Sequence, residues 1–167
     1  MNGWLLDTNV IAELAKSNGT PRVQAWAAAQ DEASLFLSIL TLGEYDKGLH
    51  NLPPDSARRL PIAASIAALE MRFTGRVLPL SDAIVRRWGT VSGVVKRLIG
   101  QTPPVIDTLL AATAIEHDLC LVTRNVRDVQ HSGAMLLNPW DDRPDRSVSN
   151  PGPHGCPGRH GCPGRHG

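Results

Sequence analysis

Five short apolar runs, each separated from the next by a helical segment, constrain the fold of this chain more than any other feature. A strand that is buried on both faces reads as a continuous apolar run, and such strands belong to parallel sheets with helices on both sides. The sequence therefore predicts an α/β fold, a three-layer α/β/α sandwich with a short-stranded, mostly parallel central sheet. The predicted strands are residues 3–6, 34–39, 77–80, 119–123 and 134–138.

The segments between these runs carry the spacing and the cap residues of helices. Thr41 is followed three residues later by Glu44, which is the spacing of a capping box, and Ser81 is a second candidate N-cap. Proline is expected to open two of the helices, since its fixed φ suits the first helical position. The predicted helices are residues 8–17, 21–30, 41–49, 53–73, 81–98 and 105–117, with a short turn or helix at 124–131.

Length and charge place limits on the class of protein. The 167 residues correspond to one domain, which we expect over residues 1–140. That stretch holds 13 Lys and Arg against 13 Asp and Glu, so contact with a nucleic acid would depend on local patches. There is no signal-peptide pattern and no apolar run of the roughly 20 residues that would span a membrane. We therefore expect a cytoplasmic protein, in which Cys120 is a buried structural thiol.

The C-terminal segment, residues 141–167, has a different composition. The hexamer GCPGRH occurs twice in tandem, and aliphatic residues almost disappear. One interpretation is a zinc site, because the segment offers thiols and imidazoles. The spacing lacks the usual ligand pairs, however, and we favour a disordered low-complexity tail. The potential zinc ligands are His154, Cys156, His160, Cys162 and His166.

Acidic residues recur at the predicted sheet edge where the strands end. Asp7 directly follows the first strand, and residues 123–128 follow the strand at 119–123. Glu44 and Asp107 are predicted in the first turns of their helices, where the helix dipole favours a carboxylate. Because ligands of parallel α/β sheets bind beyond the carboxyl ends of the strands, these groups are expected to converge on one patch.

A group of carboxylates without basic partners is costly unless a cation neutralises it. Mg²⁺ and Mn²⁺ prefer oxygen ligands, and a bound ion activates water for phosphodiester hydrolysis. Two of the three acids, taken alone, also have a structural interpretation. Asp7 is a suitable N-cap for the helix after it, and Glu44 is a suitable capping-box partner of Thr41. Asp107 lies among apolar neighbours, where an unpaired carboxylate is costly.

Four segments, in order along the chain, resemble the signature of the PIN-domain family and specifically its VapC/FitB-like branch. LLDTNVIAEL resembles the opening motif, whose first catalytic acid falls on Asp7 with Asn9 beside it. SILTLGEYDKGL is similar to the segment that carries Glu44, IDTLLAATAIEHDLCLVTRNVRD to the segment that carries Asp107, and LLNPW to the FitB-like end. The resemblance covers about residues 4–140. It implies a PIN-like fold and a metal-dependent endoribonuclease with these three acids as catalytic residues and metal ligands.

One position departs from the family pattern. Many relatives place a fourth acid directly after the Thr-Arg pair, where this chain has Asn125. Asn125 and Asp128 remain candidates for further metal ligands, and we expect one tightly bound ion. Thr123 is either a hydrogen-bond donor to a ligand carboxylate or a plain strand-end threonine.

The resemblance also implies partners: an RNA substrate, Mg²⁺ (or Mn²⁺), a small antitoxin that covers the active site, and a second copy of the chain in a homodimer. Arg124 and Arg127 are predicted to contact the substrate, together with Asn9 and Thr123. An alternative is a weakly active or inactive partner that supports antitoxin binding to operator DNA. Eight other basic residues form either an RNA-facing rim or solvated helix faces: Arg58, Arg59, Arg72, Arg76, Arg86, Arg87, Lys96 and Arg97.

Overall fold

The computed structural model describes residues 2–141 and contains a five-stranded sheet in the order β3-β2-β1-β4-β5. Every neighbouring pair of strands is parallel, so the predicted α/β fold is confirmed. Residues 142–167, with the tandem hexamers and their candidate zinc ligands, lie outside the described part of the chain. The strands are β1 (Trp4–Leu6), β2 (Leu35–Ser38), β3 (Val77–Leu78), β4 (Cys120–Val122) and β5 (Met135–Leu137).

Seven α-helices connect and follow these strands in the described residues. None of the seven combines the length and the apolar character that crossing a membrane requires. A short 3-10 turn at Glu32–Ser34 leads into β2. The helices are α1 (Thr8–Leu14), α2 (Pro21–Ala28), α3 (Ile39–His50), α4 (Arg59–Arg72), α5 (Asp82–Ile99), α6 (Val105–Glu116) and α7 (Val126–Val129).

The side chains of each strand alternate between two hydrophobic cores on opposite faces of the sheet. Leu5 pairs in register with Leu121, and both belong to the core beneath α5 and α6. Leu6 pairs with Val122, and both belong to the core beneath α1 and α2. Since both faces of these strands are covered, their continuous apolar sequence has a direct structural reason, and the molecule has three layers.

The predicted capping box at the start of α3 is wrong. The N-cap is Ser38, whose hydroxyl accepts the Leu40 N–H at 3.2 Å. Thr41 is instead the third residue of the helix, fully buried, and its hydroxyl has no hydrogen-bond partner among the described residues. The helix begins directly where β2 ends, and Glu44 consequently lies in the second turn rather than the first.

The long helix expected from Pro53-Pro54 begins later, at Arg59. A helix that began at Pro54 would place Pro61 in its interior, where proline lacks the required N–H and clashes with the preceding turn. Starting at Arg59 leaves Pro61 in the first turn, where no N–H is needed. The Arg59 guanidinium secures this start, because it donates to the carbonyl oxygens of Leu49 and Leu52 at 2.9 and 3.0 Å.

Candidate active site

The strand order brings Asp7 and Thr123 to the same point of the sheet edge. The chain moves from β1 to β2 and β3 on one side, and then to β4 and β5 on the other. The order therefore reverses between β1 and β4, and such a switch point is where ligands of parallel sheets bind. Asp7 follows β1 and Thr123 follows β4, with the Asp7 N–H donating to the Val122 carbonyl at 3.0 Å.

Asp7 is buried and held by neutral side chains. The residue is 5% exposed, and its Oδ2 accepts hydrogen bonds from the Asn9 amide at 2.6 Å and the Thr123 hydroxyl at 2.5 Å. Burial raises the pKa of Asp7 above its ordinary value, the Thr123 hydrogen bond partly opposes that shift, and the charge of Glu44 adds to it. Asp7 occupies the N-cap position of α1 without capping it through its side chain. Thr123 thus makes the carboxylate bond that was one of its two predicted roles.

Glu44 reaches the site from α3 and is held by a residue that the sequence reasoning missed. The Thr8 hydroxyl donates a short hydrogen bond to Glu44 Oε2. Thr8 is the first residue of α1, so the helix that follows Asp7 also positions the second acid. The only sequence feature that could have indicated this contact was the hydroxyl of Thr8, directly after the aspartate at the end of β1.

Asp107 lies in the first turn of α6, as predicted, and is half-buried. Burial raises the pKa of its carboxyl group to about 6, with further contributions from the charges of Asp7, Asp128 and Glu44. A hydrogen bond from the Asn125 side chain partly opposes the shift. These interactions show that acids from four parts of the chain lie within electrostatic reach of one another.

Asn125 and Asp128 lie at the start of α7, which packs against α6. Although Asn125 carries no charge, its side chain still interacts with the acidic group through a hydrogen bond to Asp107. Its backbone N–H donates to the Thr123 hydroxyl at 2.9 Å, which links it to the group around Asp7. Asp128 contributes charge, since it raises the pKa of Asp107.

The donors at this edge fit a hard divalent cation by their chemistry. All are carboxylate, amide or hydroxyl oxygens, and the ion pairs of Lys16, Arg72, Arg76 and Arg87 involve other acids, namely Glu13, Glu32 and Glu116. In the same residues, no three His, Cys, Asp or Glu side chains stand close enough to enclose a metal ion. Mg²⁺ retains several waters and takes one or two protein carboxylates, so a set of separated acids suits it.

The eight basic residues of the predicted rim divide into those whose side chains have partners within the fold and those without such partners in the described residues. Arg72 and Arg87 pair with Glu32 and Glu116 at 2.9 and 2.6 Å. Arg76 donates to three backbone carbonyls, those of Glu32, Leu35 and Arg72. With the contacts of Arg59, four of the eight predicted rim residues therefore have partners within the fold. The members without such contacts in the described residues are Arg58, Arg86, Lys96 and Arg97.

Arg124 and Arg127 lie beside the acidic group and are exposed. The Arg124 guanidinium packs over the Trp140 ring, 5.5 Å from its centroid, while its backbone N–H donates to Asn9 Oδ1 at 3.2 Å. Trp140 was not singled out as a functional residue. Its contact keeps the charge of Arg124 at the margin of the acidic group.

Comparisons with known proteins agree with this architecture. Residues 4–131 match the PIN domain family. The chain is 31% identical over 140 residues to the VapC ribonuclease Y4jK of Sinorhizobium fredii, covering 82% of this chain and 97% of that protein. It is 28% identical over 138 residues to toxin FitB of Neisseria gonorrhoeae, covering 83% and 99%.

A solved structure shares the fold at similar coverage. It is the structure of FitAB bound to an IR36 DNA fragment, with a TM-score of 0.74 and 26% identity over 83% of this chain and 96% of that one. The family match, residues 4–131, covers most of the chain. This protein therefore belongs to the PIN domain family.

Proposed function

We propose that this chain is a metal-dependent endoribonuclease that hydrolyses RNA phosphodiester bonds and acts as the toxin of a toxin–antitoxin pair. The observation that carries the proposal is the acidic group at the switch point, where burial raises the pKa of Asp107 and the charges of Asp7, Asp128 and Glu44 raise it further. A partly buried group of like charges is destabilising by itself and is typical of functional sites. The similarity to a VapC ribonuclease over nearly its full length supports the choice of reaction.

In this proposal, Asp7, Glu44 and Asp107 would supply carboxylates to Mg²⁺, or to Mn²⁺ in its place, one or two of them directly and the rest through waters that the ion retains. Asn125 and Asp128 would add oxygen donors directly or through water. When bound, the ion lowers the pKa of a water and neutralises charge on the phosphate. The protein's contribution is to fix the carboxylates. The ion pairs of Lys16, Arg72, Arg76 and Arg87 are made with Glu13, Glu32 and Glu116 and leave these acids unpaired by those four residues.

Binding of RNA is proposed to use the exposed rim of the site. Arg124 and Arg127 are next to the acids and carry the charge that a phosphate requires. Thr123 is 2% exposed, so its contribution to substrate binding passes through Asp7 rather than through direct contact. Because residues 1–140 have no net charge, affinity for RNA is expected to depend on these few side chains.

The partners follow from the same proposal: a small antitoxin and a second copy of the chain. A groove of about 490 Å³ between α1, α2 and α4 offers an apolar lining of the kind that buries one face of a partner's helix. The FitAB complex supports an antitoxin as the occupant. A charged substitution in the groove, Leu69→Glu, should prevent co-purification with the antitoxin and leave RNA cleavage intact. The residues that line this groove include Ile11, Leu14, Ala28, Ala68, Leu69 and Phe73.

The decisive experiment is cleavage of total RNA by the purified, antitoxin-free protein with Mg²⁺, with Mn²⁺ and with chelator. We expect cutting that depends on the metal and that Asp7→Asn abolishes. Sequencing of the cut ends would then identify the target RNA. Cleavage that persists in chelator, or in Asp7→Asn, would contradict the proposed site.

A second candidate function rests on Asn125, which stands where many relatives have a fourth acid. In this alternative the chain is a weakly active or inactive partner that supports antitoxin binding to operator DNA. The FitAB structure contains DNA, which keeps this alternative relevant. Tighter DNA binding by the antitoxin in the presence of this chain, with no RNA cleavage by the folded chain alone, would favour it.

A further inference from the structure

The side chain of Asn9 uses all of its polar atoms to connect two strand ends. We propose that Asn9 is a positioning residue of the site, one that holds the Asp7 carboxylate and the 123–125 segment in a fixed arrangement for cation binding. The part that concerns the cation rests on the proposed function. The hydrogen-bonding part concerns the metal-free protein and can be tested separately.

The contacts of Asn9 form a bridge between α1 and the end of β4. Its Nδ2 donates to Asp7 Oδ2 at 2.6 Å and lies 3.3 Å from the Thr123 hydroxyl. Its Oδ1 accepts the backbone N–H of Arg124 at 3.2 Å. A carboxylate or an aliphatic side chain at this position would lose the donor, the acceptor or both.

These contacts fix the rotation of the Asp7 carboxylate. Two side-chain donors, Asn9 and Thr123, converge on the same oxygen, Oδ2. A carboxylate that is bonded on one oxygen by two donors has one preferred orientation about its Cβ–Cγ bond. Groups that orient a metal-binding side chain in this way commonly change metal affinity by 10- to 100-fold when they are removed.

The bridge also extends to Asp107. The Thr123 hydroxyl accepts the Asn125 N–H at 2.9 Å, and the Asn125 side chain bonds to Asp107. By holding the Arg124 backbone, Asn9 restrains the turn that presents Asn125. One side chain thus links the acid after β1 to the acid of α6 through the turn after β4.

A purely structural account is that Asn9 only favours the start of α1, where it is the second helical residue. That account predicts a change in stability alone. The proposed role predicts two local effects besides: weaker cation binding, and loss of protection at one backbone amide 115 residues away in sequence, that of Arg124.

The test compares Asn9→Ala with Asn51→Ala, a matched change at the exposed C-cap of α3. Mn²⁺ binding is measured by titration calorimetry, and hydrogen exchange of the Arg124 amide is measured by NMR in metal-free protein. We expect Asn9→Ala to weaken Mn²⁺ binding by about 10- to 100-fold and to accelerate exchange at Arg124. Asn51→Ala should change neither quantity.

The outcomes separate this inference from the proposed function. Wild-type protein that binds no Mn²⁺ would contradict the proposed metal centre. Wild-type binding that Asn9→Ala leaves unchanged, or unchanged exchange at Arg124, would overturn the role of Asn9 alone. If Asn9→Ala does not fold, Asn9→Ser carries the same expectations, since its hydroxyl suits a helix start but cannot span the distance of the amide.

Discussion

The two ends of α1 carry buried carboxylates in opposite electrostatic states. Asp7 precedes the helix and Glu13 lies in its last turn, and they are 5% and 8% exposed. Burial raises the pKa of Asp7, whereas hydrogen bonds from Lys16 and Thr20 lower the pKa of Glu13 to about 2. The raised pKa of Asp7 therefore favours protonation at one end of α1, whereas the lowered pKa of Glu13 favours the ionised form at the other end.

The difference lies in what surrounds each acid. Glu13 pairs with Lys16 at 2.7 Å and accepts both the N–H and the hydroxyl of Thr20, at 2.7 and 2.6 Å. It closes the turn between α1 and α2, and its charge is compensated within the fold. Asp7 has neutral donors only, and its charged neighbours are acids. The fold compensates the charge of Glu13, which makes this acid structural. It leaves the charge of Asp7 uncompensated, so the pKa of Asp7 rises and the carboxylate suits the cation that we propose.

The largest expected effect is on cleavage, and the isosteric pair Asp7→Asn and Glu13→Gln tests the comparison directly. Asp7→Asn should lower the rate of RNA cleavage by about 1,000-fold or more, roughly 4 kcal/mol in activation free energy, because a cation ligand is lost. Glu13→Gln should leave the rate of the folded protein nearly unchanged. Rates measured at a temperature where both variants are fully folded provide the check, and a large loss in Glu13→Gln would remove the distinction.

The next effect is on stability, in which the order of the two variants reverses. Glu13→Gln removes the ion pair with Lys16 and the charge that strengthens two hydrogen bonds from Thr20. We expect it to lower the Tm of the metal-free protein, while Asp7→Asn leaves the Tm unchanged or raises it. Thermal unfolding followed by circular dichroism measures both. A lower Tm for Asp7→Asn than for Glu13→Gln would mean that Asp7 is the structural acid.

A smaller effect is expected at Asp107. In metal-free protein at pH 7, Asp107→Asn removes a charge that burial and three acids disfavour. It should stabilise the fold by about 1–2 kcal/mol once solvent screening is allowed for, and it should also weaken Mn²⁺ binding.

Glu44→Gln should abolish cleavage while leaving the protein folded. Denaturant unfolding gives the free-energy difference, and outright unfolding of either variant would identify that acid as structural.

The smallest effect is in the pH dependence of stability, where the two kinds of acid give opposite slopes. The folded-state pKa of Asp107, about 6, lies above its ordinary value of 3.8, so the folded protein binds more protons and its free energy of unfolding should fall as pH rises from 4 to 6. The pKa of Glu13, about 2 against an ordinary 4.5, gives stability above pH 4.5 that is lost as pH falls towards 2.

Variants can assign the two slopes. Asp107→Asn should flatten the profile between pH 4 and 6, and Glu13→Gln should flatten it below pH 4.5. Unfolding curves of metal-free protein across this range, at constant ionic strength, give the measurement. If Asp107→Asn leaves the upper slope unchanged, the raised pKa of Asp107 is not the cause of that slope.

The sequence predicted the sheet well because burial on both faces leaves a direct trace in the chain. Leu5 and Leu6 face opposite cores, and a short run that is apolar at both positions is typical of a strand that is buried on both faces. The strand order left no such trace. It was the position of β4 beside β1 that brought Thr123 to Asp7, and this pairing depends on contacts between distant segments.

Local signals failed where two of them competed. Thr41 and Glu44 have the spacing of a capping box. The helix begins earlier, however, because Ser38 at the end of β2 is the N-cap and accepts the Leu40 N–H. Pro53-Pro54 suggested a helix start, and Pro61 excluded it. The contacts of Arg59 and Arg76 could not be predicted, because their acceptors are backbone carbonyls, which every residue has.

A single residue, Asp7, joins β1 to α1, and no residue separates β2 from α3. One residue inserted after Asp7 would turn α1 by about 100° about its axis and carry Thr8 and Asn9 away from the groups they bond. Alignments of homologues should therefore show no gaps at these two junctions. Gaps are expected instead in the connections at 51–58 and 100–104, which lie outside the helices and strands. The same rule applies to engineering of this fold. Insertions should be placed in those two connections, and residues at the acidic edge should be substituted without a change in chain length.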